Sequence, residues 1–514
     1  MFSRSLHTIS SSFGLFVIQI TCFILFAAPS VLAQWQIESP DPITTDSYGM
    51  DEYTEWYKRT LNPALALKSH QYDDLIIGSS FLHRQGEFRR FMDPDRFSVY
   101  NLSAGGSRTF GESQIFRGTF GYRRTEYHDR EWTASRFYDN AHPFVLADSS
   151  TGNSRYNEIF VSGEYAVELS PNWTLGAAVD YSVDEGLKDA PPKPLSEYRD
   201  FSLRIGFSWQ NGSLSAGLHG GVHDKEEELR YRQYEGALLD EVLLISFRGY
   251  DKPVVRERER ETRLTRQSGL SAGGFSTWKP TDNLRLHGYF RINNSSLHIE
   301  EDLTRPRDEG YTSTLSLNSF GGLSWHPSNL SASVEYEYRH THHWSEFQPS
   351  NSLMTDGSSF AHQFTGSIGY RFSDHLHISA KGLLSPSRTS EDDYYSQIFW
   401  ESDYLGSGVF GQIRTSTPIA EDLRINLGYY RHDAHNSALT YSDSGPYFQT
   451  ARKQDIETYL ASFDDFQASI MMNFGLFEDH TLMLSVSFKQ RQHSNNDSNR
   501  NIINTHTTYR VPIQ

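Results

Sequence analysis

Only one of the 514 residues is cysteine, and it sits at position 22. It falls inside an apolar stretch, Phe13 to Phe26, that follows Arg4 and ends at a small-residue site, Val31-Leu32-Ala33. That order reads as an export signal over residues 1–33, removed before Gln34 together with Cys22. Apolar residues follow Cys22, which argues against a lipoprotein start. The mature chain then has no disulfides, no cysteine metal site and no cysteine nucleophile. Beyond Ala33 no apolar run is long enough to cross a bilayer as a helix, and mean hydropathy is −0.58. Basic residues are also short: 47 Lys and Arg stand against 64 Asp and Glu, for a net charge of −17. A nucleic-acid partner is excluded on that balance, because its phosphates would be repelled. The surplus acid fits the solubility of long polar loops better than a cation-binding exterior.

Aromatic residues, by contrast, make up 14% of the chain, with 29 tyrosines. They fall into a repeating pattern. From Asn172 to Asp184, Trp173, Leu175, Ala177, Val179, Tyr181 and Val183 alternate with Thr174, Gly176, Ala178, Asp180, Ser182 and Asp184. Side chains of a β-strand point to opposite sides in turn, so one face is apolar and the other small or charged. The same alternation marks Phe201 to Trp209, Leu284 to Ile292, Leu330 to Arg339, Phe466 to Leu476 and Leu482 to Lys489. More than a dozen such segments follow one another with no helix between them. The pattern predicts an all-β fold, a transmembrane antiparallel up-and-down β-barrel with a lipid-facing outside and a polar lumen.

Short turns rich in Pro, Asn, Asp and Gly join the strands in pairs. They occur at Gly111-Glu112, Ser170-Pro171-Asn172, Gln210-Asn211-Gly212, Lys279 to Asn283, His326 to Asn329, Ser373-Asp374, Ala420-Glu421-Asp422 and Glu478-Asp479. Longer connections separate the pairs, as expected of periplasmic turns and extracellular loops. Trp173, Trp209, Trp278 and Trp325 beside the turns suit an interfacial girdle. Eight hairpins, a first strand at Leu75–His83 and a last at Ile503–Ile513 give about 18 strands, within a range of 16–20. Both termini then lie in the periplasm. The chain ends in Gln514 rather than an aromatic residue, but Tyr509, Val511 and Ile513 keep the alternation, so a divergent signal for the barrel-assembly machinery is expected there. Residues 34–73 form either a hatch-like segment in the lumen or a periplasmic tail, and residues 74–514 the barrel. An 18-stranded wall is wide enough for an aqueous channel.

Several short motifs carry a resemblance. Asn62-Pro63-Ala64-Leu65 precedes the first strand; Trp132, Asn140-Ala141-His142-Pro143 and Ala147-Asp148-Ser149 follow; then comes Pro191-Pro192-Lys193-Pro194. This order resembles an uncharacterised family of bacterial outer-membrane β-barrels, a domain of unknown function. The resemblance implies residence in the outer membrane of a Gram-negative bacterium, in contact with its lipid. It brings no activity and no catalytic residues. The Asn-Pro element is also similar to the amino-terminal hatch of hydrophobic-compound channels, which have fewer strands.

The inward positions hold the most informative chemistry. Arg117, Arg123, Arg204, Arg285, Arg291, Arg339, Arg371, Lys381, Arg424, Lys489 and Arg510 stand against Glu164, Glu168, Asp180, Asp184, Glu335 and Glu337. A net basic lumen inside an acidic chain either selects anionic solutes or stiffens the wall through cross-strand ion pairs. Arg204, Arg285, Arg291, Glu335, Glu337, Arg339, Arg371 and Arg424 are the candidates for selectivity. His340, His342 and His343, and His432, Asp433 and His435, have spacings able to hold a metal but lack further ligands, so they read as rim histidines and no metal is assigned. Arg256, Arg258 and Arg260 alternate with Glu257, Glu259 and Glu261 in the longest connection, Asp224 to Leu264. They mark a raised strand pair, an inward constriction or a solvated face. Glu391, Asp392 and Asp393 before Tyr394, Tyr395, Phe399, Trp400 and Tyr404 suit a sugar or calcium site, or loop packing. No nucleophile, base and orienting group share a recognisable spacing, and no glycine loop cradles a phosphate. The sequence thus points to a non-enzymatic, cofactor-free outer-membrane pore or uptake channel for small polar or anionic solutes. The other reading is a scaffold whose extracellular loops bind a surface lipoprotein, a glycan or a secretion partner.

Overall fold

The computed structural model describes residues 59–512 except 69–72, 91, 133–134, 137–142, 149, 191–192, 233–243, 257–259, 303–305, 418, 443–444, 446–447, 477–479 and 495–497. Eighteen antiparallel strands close into one barrel. The first, β1 (Asp74–Gly86), pairs on one side with β2 (Arg96–Phe110) and on the other with the last, β21 (Asn499–Pro512). Between them run β3 (Gln114–Arg130), β5 (Gly152–Ser170), β6 (Trp173–Lys188), β7 (Leu195–Asn211), β8 (Leu214–Arg232), β11 (Arg260–Thr281) and β12 (Leu284–Glu301). The wall continues through β13 (Arg307–Trp325), β14 (Leu330–Phe347), β15 (Ser352–Ser373), β16 (Leu376–Asp393), β17 (Ile398–Thr415), β18 (Asp422–Tyr441), β19 (Phe463–Gly475) and β20 (Thr481–His493). Every short turn expected from the sequence joins a hairpin at one end of the barrel, the turn end, although Glu478 and Asp479 themselves lie outside the described residues. The longer connections share the opposite, loop end. Both β1 and β21 begin and finish the wall at the turn end, where Asp74 pairs with Pro512.

Alternation fixes the two faces. In register, Trp173 meets Trp209, Leu175 meets Phe207, Ala177 meets Ile205 and Val179 meets Leu203, all outward. Trp173 and Trp209 bring their rings 6.5 Å apart beside the turns, where an interfacial girdle belongs. Outward apolar residues stay open to the surroundings, as Val409 does at 66%, which is the condition of a surface solvated by hydrocarbon. Barrel strands are 13 to 22 residues long, whereas about 9–11 tilted residues cross a bilayer. The excess stands above the membrane at the loop end, and the outward face changes chemistry there. Arg199 and Arg266 both pair with Glu226, at 3.1 and 2.6 Å, and Arg230 pairs with Glu197 at 3.1 Å. Much of the connection expected between Asp224 and Leu264 is therefore ordered wall: β8 reaches Arg232 and β11 starts at Arg260. Charged positions that look like loop in the sequence are cross-strand ion pairs.

Three short strands form a separate sheet over the loop end: β4 (Phe144–Asp148), β9 (Leu244–Arg248) and β10 (Pro253–Arg256), in the order β10-β9-β4. One face of β4 buries Phe144 against Leu297, Ile299 and Met354, and Leu146 against Leu229 and Tyr231. Val145 and Ala147 turn the other way, onto Ile245, Phe247 and Met92. Beside this lid a helix, α1 (Lys453–Tyr459), packs Ile456 and Tyr459 on Tyr250, Ile398 and Trp400. Carboxylates tie the pieces together. Asp393 accepts the Tyr250 amide at 2.5 Å, and Asp251 accepts those of Phe448, at 2.9 Å, and Gly445. Lys188 and Asp148, both fully buried, pair at 2.7 Å, and Arg263 holds Glu301 at 2.5 Å and the Phe144 carbonyl at 3.1 Å. Burial pushes the Lys188 amine downward in pKa, with Asp148 acting against it. Removing one partner of such a pair strands a charge, costing about 3–5 kcal/mol. Asp148→Leu is expected to speed hydrogen exchange at Val145–Ala147 while the barrel amides stay protected, and Asp148→Leu with Lys188→Met to recover most of that protection.

Candidate lumen site: an inner segment and a basic wall

Residues 59–68 lie inside the barrel, clasped by one half of its wall. Asn62 is wholly buried. Its Nδ2 donates to the carbonyls of Phe207 (3.1 Å) and Leu218 (3.3 Å), while Oδ1 accepts the Ala64 amide at 3.0 Å. That amide bond caps a single 3-10 turn over Pro63–Leu65. Proline suits the first position of such a turn, since its missing N–H leaves no donor unsatisfied. The wall has been cleared for it: a methyl on Gly206 would overlap Asn62, and one on Gly176 would overlap Pro63 and Ala64. Leu65 then packs among Phe275, Tyr289 and Phe320, and Ala66 against Ile115 and Ala166. Polar and ionic contacts with the wall hold the segment's backbone and flanks. Arg117 donates to the Ala66 carbonyl at 2.8 Å, Lys68 to Gln210 at 2.8 Å, and Arg59 meets Glu335 at 3.6 Å with its guanidinium over Phe320.

Every residue singled out for selectivity occupies an inward register position, but they divide into two groups. Arg204 pairs with Asp180 at 2.7 Å and reaches the Leu61 carbonyl. Glu335 takes Arg59; Glu337 is held by Arg339 at 2.8 Å and Asn318 at 3.1 Å. Arg291 stands opposite Asn318 on the same wall. These four, with Arg339, belong to the half that clasps the inner segment. Arg285 borders a cavity of about 110 Å³ that also touches Arg59, Glu335 and Lys381, so it sits between the halves.

Arg371 and Arg424 belong to the other half. Reading inward positions across the strands gives successive rungs. Nearest the turns, Arg371, His377, Arg414 and Arg424 are consecutive partners over β15 to β18. Asp422 accepts from both Arg414 and Arg424 at 2.8 Å. The next rung is neutral and polar, Gly369-Ser379-Gln412-Asn426-Ser469-Ser487. Above it come Lys381 and Lys489, and above those Asp465, Arg491 and Arg500. Rungs two residues apart lie roughly 6.6–6.8 Å apart along a strand. Basic side chains therefore recur from one end of the lumen to the other on the wall opposite the inner segment. His377, Arg414, Arg491 and Arg500 escape a sequence reading because β17 alternates poorly and the upper strand ends lie beyond the apolar stretches that mark strands.

The other clusters separate. His340 and His342 share the outward face, where His340 stacks on Phe360 and His342 bonds Asp356, whereas His343 points inward to Glu391 at 2.8 Å. His432 stacks inward on Phe463, while Asp433 pairs outward with Arg431 at 2.8 Å. Asp393 anchors the lid and Asp392 bonds Tyr394, so these carboxylates serve packing between connections. Glu257, Arg258 and Glu259 lie outside the described residues, as do Asn140 to His142 and Pro191-Pro192 of the resemblance motifs.

A family model described as a family of unknown function, DUF6850, matches residues 63–510. The chain belongs to this family. The match begins at Pro63, inside the clasped segment, so the inner turn is part of what the family shares with the barrel. No curated protein matches. Among solved structures, the chain is similar to the ferric yersiniabactin uptake receptor of Yersinia pestis (10% identity, TM-score 0.44, covering 87% of this chain and 81% of that one). It is similar also to a siderophore receptor of Acinetobacter baumannii (8%, 0.44, 85% and 82%) and a toluene transporter of Ralstonia pickettii (10%, 0.31, 88% and 93%). At such identities these likenesses speak to neither solute nor mechanism.

The clasp predicts a measurable outcome. With Ala64→Cys as a reporter in a chain lacking Cys22, the thiol is expected to resist a membrane-impermeant maleimide. Adding Gly206→Val, which collides with Asn62, is expected to expose it. Equal labelling of both proteins would show that the glycine does not seat the segment.

Proposed function

We propose that this family member is a gated uptake channel of the outer membrane, its turn end periplasmic and its loop end extracellular, that passes small anionic solutes. The observation that supports this reading is the series of basic rungs across β15 to β21, from Arg371 and Arg424 at the turn end to Arg491 and Arg500 at the loop end. Cationic side chains spaced along a lumen lower the barrier for anions at each step, and an intervening polar rung keeps any one position from holding the solute too tightly. Arg371 and Arg424 contribute at the periplasmic end. Arg204, Arg291, Glu335, Glu337 and Arg339 act instead by seating the inner segment, and Arg285 lines the passage beside it. The lid and α1 cover the extracellular mouth, which makes the passage gated rather than freely open. The reading needs no catalytic group and no cofactor.

Planar-bilayer recordings of the purified full chain test it. Anion-selective current is expected, in infrequent openings, with a larger open fraction in Asp148→Leu, whose lid is loosened. Arg371→Glu with Arg424→Glu is expected to move the reversal potential toward the cation value. A silent membrane in both the parent and Asp148→Leu would favour the surface scaffold, in which the lid presents a binding face and the lumen carries nothing.

A further inference from the structure

Three carboxylates meet on one inward rung at the loop end of the clasping half. Glu158 and Asp184 are direct partners across β5 and β6, and the rung runs on through Tyr198 of β7 to Glu227 of β8. Like charges placed directly opposite each other in a sheet repel. Arg123, the β3 partner of Glu158, reaches that carboxylate at 3.2 Å, but among the described residues no wall cation is ion-paired with Asp184. The compensating charge comes from outside the wall. Arg136, in the connection from β3 to β5, places one nitrogen, Nη2, 2.5 Å from Asp184 and 3.1 Å from Glu158. Its guanidinium lies 5.1 Å from the ring centre of Tyr156 and 5.4 Å from that of Tyr198. Gly186, the β6 partner of Tyr156, makes the room, since a methyl there would overlap the Tyr156 ring. Glu227 secures the base of this finger: it accepts the Arg136 amide at 2.8 Å and the Ser135 hydroxyl at 2.5 Å, and Arg130 donates to the Ser135 carbonyl at 3.0 Å.

The cage stands above the hydrocarbon, because its outward neighbours at this height are Glu185 and Glu197, partners across β6 and β7, and Arg199. Asp184 is fully buried and Glu158 nearly so, with 0% and 8% of their side chains exposed. A carboxylate withdrawn from water is costly unless a cation meets it. Among the described residues neither oxygen of Asp184 accepts a hydrogen bond, so Arg136 is what answers its charge. Burial pushes the Asp184 pKa up to about 6 against the pull of Arg136, with Glu158 and Glu227 adding to the rise and Arg123 opposing it. The connection that supplies Arg136 also carries β4, the lid strand held further along by Arg263 at the Phe144 carbonyl and by Lys188 at Asp148. Arg136 therefore ties the approach to the lid onto the rim of the wall. Withdrawing it breaks no strand pairing, since the residue belongs to a connection.

We propose that Arg136 is the latch of the lid: seated in its cage of Glu158, Asp184, Tyr156 and Tyr198, it holds the connection into β4 against the rim, and its withdrawal frees the lid while the barrel stays closed. The latch rests on the uptake reading for its purpose, but its test is independent of conductance. Hydrogen exchange at Val145–Ala147, measured on the detergent-solubilised full chain, reads the state of the lid. Arg136→Gln is expected to raise exchange there by about tenfold or more, as an unpaired buried carboxylate requires, while amides of the barrel wall stay protected. Arg136→Lys, which keeps the charge and loses the planar contact with the two rings, should fall between. Arg155→Gln, on the outer surface of β5, should match the parent. Glu158→Gln with Asp184→Asn removes the charge of the cage and should free the lid as Arg136→Gln does, and adding Arg136→Gln to that pair should change nothing further. Heat-modifiable electrophoresis verifies that each variant is a folded barrel. Lid exchange unchanged in Arg136→Gln, or effects of finger and cage that add as those of independent sites do, overturns the latch. Faster lid exchange beside a silent bilayer keeps the latch and removes the channel, whereas anion current with lid exchange unchanged in Arg136→Gln removes the latch alone.

Discussion

Hydrocarbon offers no partner to a peptide N–H or C=O, so a sheet that crosses a membrane has to leave no edge. In this molecule the requirement is met by the seam between β1 and β21, where thirteen residue pairs run from Asp74–Pro512 to Gly86–Arg500. Once the ring is closed, each strand must send alternate side chains to lipid and to the lumen, and an odd shift of register would exchange the two sets. The lumen's chemistry is thus a by-product of closure. Every polar residue that cannot face lipid is delivered inward, where it meets others from strands far away in the chain.

What the protein has done with those inward residues differs between the two halves of the wall. From β3 to β14 they form a bed for residues 59–68, with small residues where the backbone approaches and charges where it ends. Among the described residues, the turn at Pro63–Leu65 takes its hydrogen bonds and apolar contacts from that first half, and β15 through β21 carry the basic rungs. Serine, asparagine and glutamine line this second half next to the rung nearest the turns, while Leu383, Phe410, Tyr430 and Phe463 pack into an apolar cluster toward the loop end. On the outward face above the lipid, Glu197, Glu226, Glu228, Asp224, Glu401 and Asp403 are all paired with arginine. Carboxylates also line the inward face, as Asp180, Glu335, Glu337, Asp422 and Asp465 do, so the net value of −17 describes neither face.

Much of this could be read from the sequence, and the boundary of what could not is physical. Strand number followed from turn chemistry, because Ser170-Pro171-Asn172 or Gln210-Asn211-Gly212 can do little but reverse the chain. Facing follows from period two, which is why local pattern alone places Arg371 and Arg424 inward. Rungs are different in kind. That Arg371, His377, Arg414 and Arg424 are consecutive depends on the stagger of four strands, a non-local quantity that no single strand encodes. The lid escapes a sequence reading for another reason: β4, β9 and β10 are four or five residues long, and Phe144 and Leu146 look like stray apolar residues in a connection without Met354 and Leu229 beneath them. The family resemblance, carried by short motifs, proved to span the wall, though none of those motifs lies in the basic rungs.

Asp251 and Arg90 make the cap a single mechanical piece. The carboxylate of Asp251 holds the amides that lead into α1, and α1 in turn presents Tyr459 to Arg90, which shares Asp93 with Arg500. A displacement of the guanidiniums at the rim cannot stay local, because it pulls on a tyrosine whose ring lies flat against Trp400 beneath the same helix. Hinged parts wired in series open together or not at all, so the mouth of this barrel should behave as a latch with two states and not as a curtain that frays strand by strand.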